Sequence, residues 1–432
     1  MTALILAHVL TVAACLGQEQ QGDWVDYRGP TMDGHAREDA RPPLDWSEDR
    51  HVRWKAAVSG RGWSSPIVTA GRIWFTTADP EGHERRVICH DFETGDVLLD
   101  RVLLKVANPE ERNPLNSYAS PSATAGQGRV FFSFGSAGLI CLNAESGDEE
   151  WRRTDLPCDH IVGPGSSPVL LDGRLLLNMD GGDFQFMLAL ESTTGATLWR
   201  SERDATVLDG LIPDVRKAYS TPIIVQVGGK AQLVSSASQA TYGLDPADGR
   251  ELWRVKHGGF SMSSRPLAFE TSVLLNTGFM RPELWSVQLP APNSDNDKTE
   301  AQVNWKVVRG IPSMASPVIV GDELFTVSDG GVASCLDVRT GAQLWKERLG
   351  GEFSASLLHA DGRVYFFDRD GKTTVIAPGR TFVKLAENSL EDGCMASAAA
   401  LGDSLIVRTR SHLYRLQRPV EQAQDGDHLN FR

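Results

Sequence analysis

The chain has 432 residues, of which 41% are hydrophobic and 23% are charged, a composition typical of a folded protein and not of a disordered or collagen-like chain. Its formal net charge is −13 and no stretch gathers Lys and Arg, which argues against nucleic acid as a partner. The 41 Gly and 22 Pro indicate many turns and short strands, and so favour a large all-β protein.

The first 17 residues have the features of a signal peptide. Residues 1–16 form an apolar run that is too short to span a membrane and ends in small residues. Val12-Ala13-Ala14-Cys15 also resembles the motif at which bacterial lipoproteins are lipidated on Cys, although no Lys or Arg precedes the run. No later segment has the roughly 18 consecutive apolar residues that a transmembrane helix needs. We therefore predict an exported protein of the periplasm or cell envelope, either soluble or anchored by a lipid on Cys15.

A hairpin-like segment repeats along the chain. Five copies align without gaps, at residues 88–100, 140–152, 188–200, 242–254 and 334–346. In each copy Asp, Asn or Glu stands four residues before a Gly, and Trp follows that Gly by four residues, except that Leu99 replaces Trp in the first copy. A side chain that bonds turn amides, followed by a Gly that tolerates positive φ, predicts a β-hairpin turn. We expect the Trp to fill the gap between neighbouring units.

A Ser-x-Pro-like segment leads into the first strand of each unit. The eight segments are residues 64–66, 119–121, 166–168, 220–222, 264–266, 315–317, 355–357 and 396–398. Each unit then has four strands, A to D, and the eighth unit ends near residue 416 without its strand D. Residues 52–56 carry the missing Trp-basic pair, so an N-terminal strand is expected to complete the last unit and close a ring.

These repeats predict an all-β fold, an eight-bladed β-propeller of four-stranded antiparallel blades, over residues 51–416, at about 46 residues per blade. Residues 18–50 form an N-terminal extension and residues 417–432 a polar C-terminal tail. The fifth unit lacks the Gly turn and has the polar residues 291–297 instead. We interpret them as a solvated insertion and not as a calcium loop, because no Gly and Glu follow at the required spacing.

The cysteines follow the repeat in part. Cys89, Cys141 and Cys335 lie six residues before the turn Gly, where other units have Ala or Gly. A position shared by these small residues indicates tight packing between blades, so we expect buried reduced thiols there. Cys158 and Cys394 fall in loops, and the sequence leaves open whether they form a disulfide.

The repeated hairpin resembles the quinoprotein-type propeller repeat of quinone-dependent alcohol dehydrogenases and of the outer-membrane assembly lipoprotein BamB. The chain as a whole is similar to exported PQQ-like β-propeller repeat proteins, whose first segment resembles residues 24–34, WVDYRGPTMDG. The resemblance covers residues 24–416 and implies the fold, while the likeness to BamB implies a binding or assembly role. The quinoprotein dehydrogenases carry an adjacent Cys-Cys disulfide beside the quinone, and this chain has no such pair. We therefore expect no cofactor, neither PQQ nor calcium.

The predicted topology brings two sets of loops to one face of the ring. Connections from strand D to the next strand A, and from strand B to strand C, form this loop face, whereas the Gly turns form the opposite turn face. Loops on a rigid scaffold commonly hold binding residues. Around the channel mouth we expect a ligand-binding set of Trp63, Tyr118, Asp180, Asp183, Lys217, Tyr219, Arg281 and Asp329.

Two interpretations of this set remain open. In the first interpretation, the aromatic residues of the set and Phe353 fill the channel. In the second the set forms a ligand site, because pockets combine rigid aromatic groups with a few polar ones, and Asp180 and Asp183 on their Gly-rich loop are candidate cation ligands.

The sequence contains no complete catalytic constellation, so no catalytic residue or metal ligand is assigned. The leading hypothesis is a monomeric, exported, non-catalytic scaffold that binds an envelope protein or a small ligand on the loop face. The alternative is a quinoprotein-like oxidoreductase or a carbohydrate-active enzyme, which requires the carboxylates of Asp180, Asp183 and Asp329 to converge with Lys217 on one void. A sugar-binding module is a third hypothesis, which an exposed Trp63 would favour.

Overall fold

Short antiparallel strands separated by Gly-containing turns make up almost all of the protein. The computed structural model describes residues 23–291 and 299–418, so the predicted signal peptide, Cys15 and most of the polar tail lie outside the described residues. The described residues form eight sheets arranged as blades, seven with four strands and one with an additional short strand. The predicted eight-bladed β-propeller is thereby confirmed.

The first four blades follow one another along the chain, each from strand A to strand D. Blade 1 consists of β2 Ile67–Thr69, β3 Arg72–Ala78, β4 Glu84–Asp91 and β5 Val97–Lys105. Blade 2 consists of β6 Thr124–Gly126, β7 Arg129–Ser133, β8 Leu139–Asn143 and β9 Glu149–Arg153. Blade 3 consists of β10 Val169–Leu171, β11 Arg174–Asp180, β12 Gln185–Glu191 and β13 Thr197–Glu202. Blade 4 consists of β14 Ile223–Val227, β15 Lys230–Ser236, β16 Ala240–Leu244 and β17 Glu251–Lys256, with the added β21 Thr299–Glu300.

The last four blades complete the ring. Blade 5 consists of β18 Leu267–Phe269, β19 Ser272–Asn276, β20 Leu284–Gln288 and β22 Gln302–Val307. Blade 6 consists of β23 Val318–Val320, β24 Glu323–Val327, β25 Val332–Asp337 and β26 Gln343–Arg348. Blade 7 consists of β27 Leu358–Ala360, β28 Arg363–Phe367, β29 Lys372–Ala377 and β30 Val383–Ser389. Blade 8 consists of β31 Ala399–Leu401, β32 Ser404–Arg408, β33 His412–Gln417 and the N-terminal β1 Val52–Ala57.

Strand β1 closes the ring as predicted. It pairs antiparallel with β33, from Ala57 opposite His412 to Val52 opposite Leu416. In the described part of the chain, the helices lie in the connection between blades 3 and 4, which holds α1 Ala205–Leu208 and the 3-10 helix Pro213–Val215. Within residues 23–291 and 299–418, no helix is long and apolar enough to cross a membrane.

In five blades, a Trp of strand D covers the turn of the next blade. Trp151 Nε1 donates to the Ser192 carbonyl at 2.9 Å, and a Cβ added to Gly195 would lie 2.7 Å from the Trp151 ring. Gly195 has a φ of 72°, so this turn requires glycine both for its backbone conformation and for the close approach of the ring. The same hydrogen bond to the neighbouring blade is made by Trp54, Trp199, Trp305 and Trp345.

The side-chain oxygen ahead of the turn Gly accepts hydrogen bonds from turn amides in blades 1, 2, 4 and 6, as predicted. Asp91 Oδ1 accepts hydrogen bonds from the amides of Glu93 and Thr94 at 2.9 and 2.8 Å. Hydrogen bonds from within the turn lower the pKa of Asp91, and they do the same for the pKa of Asp337 in blade 6. The turn face is therefore built from one local arrangement used in successive blades.

Blade 5 lacks this turn, and Trp253 of blade 4 finds its partner within its own sheet. Its Nε1 donates to Gln232 Oε1 at 2.8 Å, and β21 pairs parallel with β17 beside it. Residues 292–298, which include most of the predicted solvated insertion, lie outside the described residues.

The cysteines of the repeat occupy packed positions between blades. Cys141 lies directly opposite Trp151 in the sheet, and Cys89 and Cys335 hold the equivalent positions. Burial raises the pKa of each of these three thiols to about 12. Cys158 and Cys394, for which the sequence left pairing open, are buried free thiols in the connections that precede blades 3 and 8.

Hydroxyl groups just before the innermost strands form a hydrogen-bonded ring around the axis. The amide of Ser397 donates to Ser65 Oγ at 2.9 Å, and the amide of Ser65 donates to Ser122 Oγ at 2.8 Å. Equivalent bonds link the lead-ins of blades 2, 3 and 4 and those of blades 5, 6, 7 and 8. The predicted alignment of blade 2 is wrong by two residues: Ser122, and not Ser120, holds the ring position, because β6 begins at Thr124.

Residues 24–36, which we call the axial segment, fill the centre of the propeller. Trp24 exchanges backbone hydrogen bonds with Val68 in strand A of blade 1, and Val25 accepts one from Ala125 in blade 2. On the far side, the carbonyl of Gly34 accepts a hydrogen bond from the amide of His359 in blade 7. The expectation that Trp63, Tyr118, Tyr219 and Phe353 fill the channel is therefore corrected, because the axial segment lies across it.

Two buried arginines fasten the axial segment. Arg28 donates to the carbonyls of Leu357 and Pro317 at 2.5 and 2.6 Å, which join it to blades 7 and 6. Arg265, which replaces the hydroxyl residue of blade 5 in the axial ring, donates to Asp26 Oδ1 at 2.7 Å. Both side chains of this ion pair are buried. Because an unpaired buried charge is costly, this pair holds the segment in one position.

Candidate functional site

The loop face differs from blade to blade, in contrast to the turn face. Its longest connections are residues 106–123, between blades 1 and 2, and residues 203–222, between blades 3 and 4. All eight residues of the predicted ligand-binding set lie on this face. Their individual contacts decide whether they form one site.

Asp180, at the end of β11, is a structural residue. Arg203 contacts both of its carboxylate oxygens at 2.9 Å, and the same guanidinium donates to Asn178 Oδ1 and Ser235 Oγ. Burial raises the pKa of Asp180, and the guanidinium opposes that shift. The carboxylate is therefore occupied within the protein.

Asp183 closes its own loop. Its Oδ1 accepts hydrogen bonds from the amides of Asp159 and Phe184, both at 2.7 Å. The two glycines between the aspartates allow close packing, since a Cβ on Gly181 would lie 2.5 Å from the Asp159 carbonyl oxygen. Across residues 23–291 and 299–418, no group of three or more His, Cys, Asp or Glu side chains is placed to hold a metal ion.

Lys217 and Tyr219 fasten the connection between blades 3 and 4. The Lys217 ammonium donates to the carboxylate and to the carbonyl of Asp214. The Tyr219 hydroxyl donates to the His160 carbonyl at 2.6 Å, and burial raises its pKa. Both side chains are buried, so neither presents its polar group to a ligand.

Trp63 and Tyr118 lie beneath arginine side chains. The Arg61 guanidinium is 4.9 Å from the Trp63 ring, which is half-buried. Arg85 and Arg112 lie 4.5 and 5.2 Å from the Tyr118 ring. The Arg61 guanidinium covers one face of the half-buried Trp63 ring.

Arg281 and Asp329 lie in different blades. Arg281 is exposed on the B–C loop of blade 5, and Asp329 in blade 6 accepts a hydrogen bond from the amide of Ser313 at 2.9 Å. The partners of Asp180, Asp183, Lys217 and Asp329 are thus all different. The structure does not bring these four side chains together around one void.

A buried polar cluster between blades 2 and 3 escaped the sequence analysis. Burial raises the pKa of Glu110 to about 7, and its Oε2 atom has no hydrogen-bond partner among the described residues. Burial lowers the pKa of His160 to about 4, and its ring Nδ1 lies 3.7 Å from Cys158 Sγ. Only the fold brings these groups together, because Glu110 and His160 come from successive connections.

Large apolar side chains are exposed on the loop face, and the sequence analysis also missed them. They are Leu115, Phe184, Ile212, Phe279, Met280 and Val308. Met280 is 73% exposed and Ile212 is 64% exposed. The sequence could have indicated these exposed residues, because they are apolar residues in connections that the repeat predicts to be loops.

Backbone hydrogen bonds join the loops that carry these side chains. The amide of Asn113 bonds to the Val162 carbonyl at 3.2 Å, and the amide of Gly182 bonds to the Asp159 carbonyl at 2.8 Å. The amide of Ser261, between blades 4 and 5, donates to the Lys217 carbonyl at 2.9 Å. The amide of Phe279 likewise donates to a carbonyl of the connection between blades 4 and 5. The exposed apolar groups of blades 1 to 5 therefore stand on a connected and braced surface.

The repeated turns, the Trp contacts between blades and the ring closure define an eight-bladed β-propeller of the PQQ-like, quinoprotein-type class. A family model described as "Outer membrane protein assembly factor BamB" matches residues 105–265 and 280–382, more than half of the chain. The chain belongs to this family. No curated protein matches the sequence significantly.

Two solved structures with TM-scores above 0.5 share this fold. BamB from Moraxella catarrhalis has a TM-score of 0.58 and 11% sequence identity, over 84% of this chain and 98% of its own. The computationally designed Ika8 protein has a TM-score of 0.57 and 11% identity over the same shares of the two chains. A europium-containing methanol dehydrogenase has a TM-score of 0.43 and 13% identity, over 82% of this chain and 89% of its own.

Proposed function

We propose that this protein is an exported, non-catalytic scaffold of the cell envelope that binds a partner protein through its loop face. The observation that carries the proposal is the exposed apolar surface on braced loops of blades 1 to 5. Exposed apolar groups gathered on one face are typical of protein-binding surfaces. Membership of the BamB family supports an assembly role.

The contacts of the predicted set argue against the enzymatic alternative. Asp180 and Lys217 are each paired within the protein, and Tyr219 is hydrogen-bonded to a backbone carbonyl. Catalytic carboxylates must instead reach a substrate, and an oxidoreductase or carbohydrate-active enzyme would need several of them at one void. The scaffold explains these residues as braces of the loop face.

The residues present do not fit PQQ with calcium. Such a site needs several oxygen ligands for the ion, whereas the Asp180 carboxylate is taken by Arg203. Cys158 and Cys394 are free thiols in different connections, and the axial segment lies across the centre of the ring. We propose that the protein uses no quinone. Native mass and absorbance spectra recorded with and without added PQQ and calcium test this, and a stoichiometric quinone complex would contradict it.

Site-specific photo-crosslinking in the native envelope tests the binding face. A crosslinking amino acid at Ile212 and at Met280 is expected to capture the same discrete protein. The matched controls are Leu198 and Val383, which are 48% and 47% exposed but lie on outer strands. Capture from the control positions alone, or no capture from either loop position, would refute the proposed face.

Purified components then give a quantitative test. Ile212→Asp should raise the dissociation constant for the captured partner at least tenfold, because it places a charge in an apolar contact. Leu198→Asp should leave the constant unchanged. Equal losses in both variants would show that the loop face is not special.

Export and anchoring are tested on the same material. The intact mass of protein from the envelope fraction should show loss of residues 1–17, or a lipid-modified chain beginning at Cys15. Protein that keeps residues 1–17 and stays in the cytoplasmic fraction would refute the proposed location. Size and light-scattering measurements of the same sample test the proposal that the protein is a monomer.

A further inference from the structure

An open cavity of about 480 Å³ lies on the loop face beside blade 1. Its walls come from three segments: the lead-in to blade 1, the B–C loop of blade 1 and the long connection 106–123. The lining residues are Arg61, Pro80, Glu111, Arg112, Pro114 and Tyr118. We call it the arginine pocket. Its volume falls within the range of sites that hold small ligands or single side-chain groups.

The two arginines of the pocket lack acidic partners. Among the described residues, neither Arg61 nor Arg112 has a carboxylate within 4.0 Å, and Glu111 on the same wall pairs with neither. Arg112 donates hydrogen bonds to backbone carbonyls and lies over the Tyr118 ring, and Arg61 lies over the Trp63 ring. Elsewhere on this face, Arg203 and Arg369 are both paired with carboxylates.

The pocket therefore gathers positive charge in a protein whose net charge is −13. Burial and the nearby positive charges of Arg112 and Arg410 lower the pKa of Arg61. Two guanidinium groups that repel each other are stabilised by an anion placed between them, and guanidinium binds carboxylates with paired hydrogen bonds. Tyr118 and the two prolines supply rigid walls around that position.

The charge and surroundings of the pocket select the kind of anion. The lining residues, two arginines and Glu111, leave one positive charge, and Arg410 adds to the positive field at Arg61, so the pocket favours an anion such as a carboxylate. Leu115, three residues from Arg112, is 47% exposed and belongs to the proposed binding surface. An acidic residue with apolar neighbours would satisfy the arginines and Leu115 together.

We propose that the arginine pocket binds the carboxylate of an aspartate or glutamate, flanked by apolar residues, on a partner protein. This inference rests on the proposed scaffold function and names the chemistry of one part of its binding face.

Peptide binding to the full-length mature protein tests the proposal. The probe is a fluorescent peptide with the sequence Leu-Glu-Leu-Asp-Leu, and its matched partner has Gln and Asn in place of the acids. Fluorescence anisotropy should give at least tenfold tighter binding for the acidic peptide. The double variant Arg61→Gln/Arg112→Gln should abolish that preference, whereas Arg53→Gln, which removes an exposed arginine on β1, should keep it.

Several outcomes would overturn the proposal. The first is equal affinity for the two peptides. The second is an equal preference for the acidic peptide in the double variant and in Arg53→Gln. The third is tighter binding of inorganic phosphate than of the acidic peptide. If the double variant does not fold, Arg112→Gln alone replaces it, because Arg112 lies in a connection outside the strands. If the double variant binds the crosslinked partner normally while Ile212→Asp does not, the pocket assignment fails and the scaffold function stands.

Discussion

The turn face and the loop face are made by the same eight blades but are organised differently. On the turn face, one arrangement of a capping oxygen, a Gly and a neighbouring Trp recurs from blade to blade. On the loop face the side-chain pairs differ from blade to blade: Asp180 is bound by Arg203, and Lys217 by Asp214. The repeated contacts hold the ring together, and the loops are therefore free to differ and to carry recognition.

Carboxylates on the two faces also respond differently to their surroundings. Turn hydrogen bonds lower the pKa of Asp91 and Asp337 and so favour their charged forms. Burial on the loop face raises the pKa of Glu110 and favours its neutral form. Asp91 and Asp337 thus stabilise the turn face in their charged forms, whereas ionisation of Glu110 destabilises the loop face.

The largest loss of stability should come from the axis that joins the two faces. Asp26→Ala leaves the Arg265 guanidinium buried without its carboxylate, and removing one partner of a buried pair costs about 3–5 kcal/mol. Urea unfolding followed by circular dichroism measures the free energy of unfolding.

Asp39→Ala is the matched control for that experiment. Asp39 lies in the same N-terminal extension but forms an exposed pair with Arg37, so its loss should cost less than about 1 kcal/mol. Similar losses in both variants would mean that the axial ion pair does not hold the segment.

On the turn face, Gly195→Ala should cost about 2–5 kcal/mol. The new Cβ must accept a positive φ, at roughly 1–2 kcal/mol, and also displaces the Trp151 ring, which adds about 1–3 kcal/mol. Gly173→Ala provides the control, because Gly173 has a φ of 75° but its Cβ would meet only Ser192 Oγ at 3.8 Å. Equal unfolding free energies for the two variants would show that the Trp contact adds nothing.

Glu110 should make the stability of the protein fall as pH rises. Its folded pKa of about 7 exceeds the ordinary value of 4.5, so the folded state binds more protons than the unfolded state between these values. At about 1.4 kcal/mol per pKa unit, the loss between pH 4.5 and 7 is up to about 3 kcal/mol.

Urea unfolding of wild type and Glu110→Gln at pH 5, 6, 7 and 8 isolates this effect. The stability of wild type should decline relative to that of Glu110→Gln as pH increases, while the neighbouring Glu111→Gln follows wild type. Parallel profiles for wild type and Glu110→Gln would contradict the assignment.

The smallest effect on stability is expected on the exposed loop surface. Met280→Asp should change the free energy of unfolding by less than about 0.5 kcal/mol, because the side chain is 73% exposed. The same variant should weaken partner binding, whereas Gly195→Ala should weaken stability and spare binding. A large loss of unfolding free energy in Met280→Asp would contradict the assignment of stability to the turn face and of binding to the loop face.

The fold could be predicted because its determinants are local and repeated. A capping oxygen, a Gly and a Trp lie within nine residues, and the same spacing recurs in five copies, with Leu99 in place of Trp in the first. The contacts of the axial segment with the blades could not be predicted, because Arg28 donates to the carbonyls of Pro317 and Leu357, which are 289 and 329 residues away. No local pattern marks a contact of that length.

The loop face was predicted as a location but not in its contacts. The Lys217–Asp214 pair spans three residues and was accessible from the sequence, whereas the Asp180–Arg203 pair depends on how β11 and the next connection meet. The arginine pocket combines Arg61, which precedes the first strand of blade 1, with Arg112, which follows its last strand. Such sites require the ring to be assembled before they can be recognised.

The pairing of β1 with β33 links the order of synthesis to the completion of the fold. The first strand to leave the ribosome must wait for the last one, since Ala57 pairs with His412. A nascent chain therefore carries an unpaired edge until its final strand arrives, and folding of such long-range contacts is slow. A chain truncated before β33 would leave the edge of β1 unpaired and open to proteases.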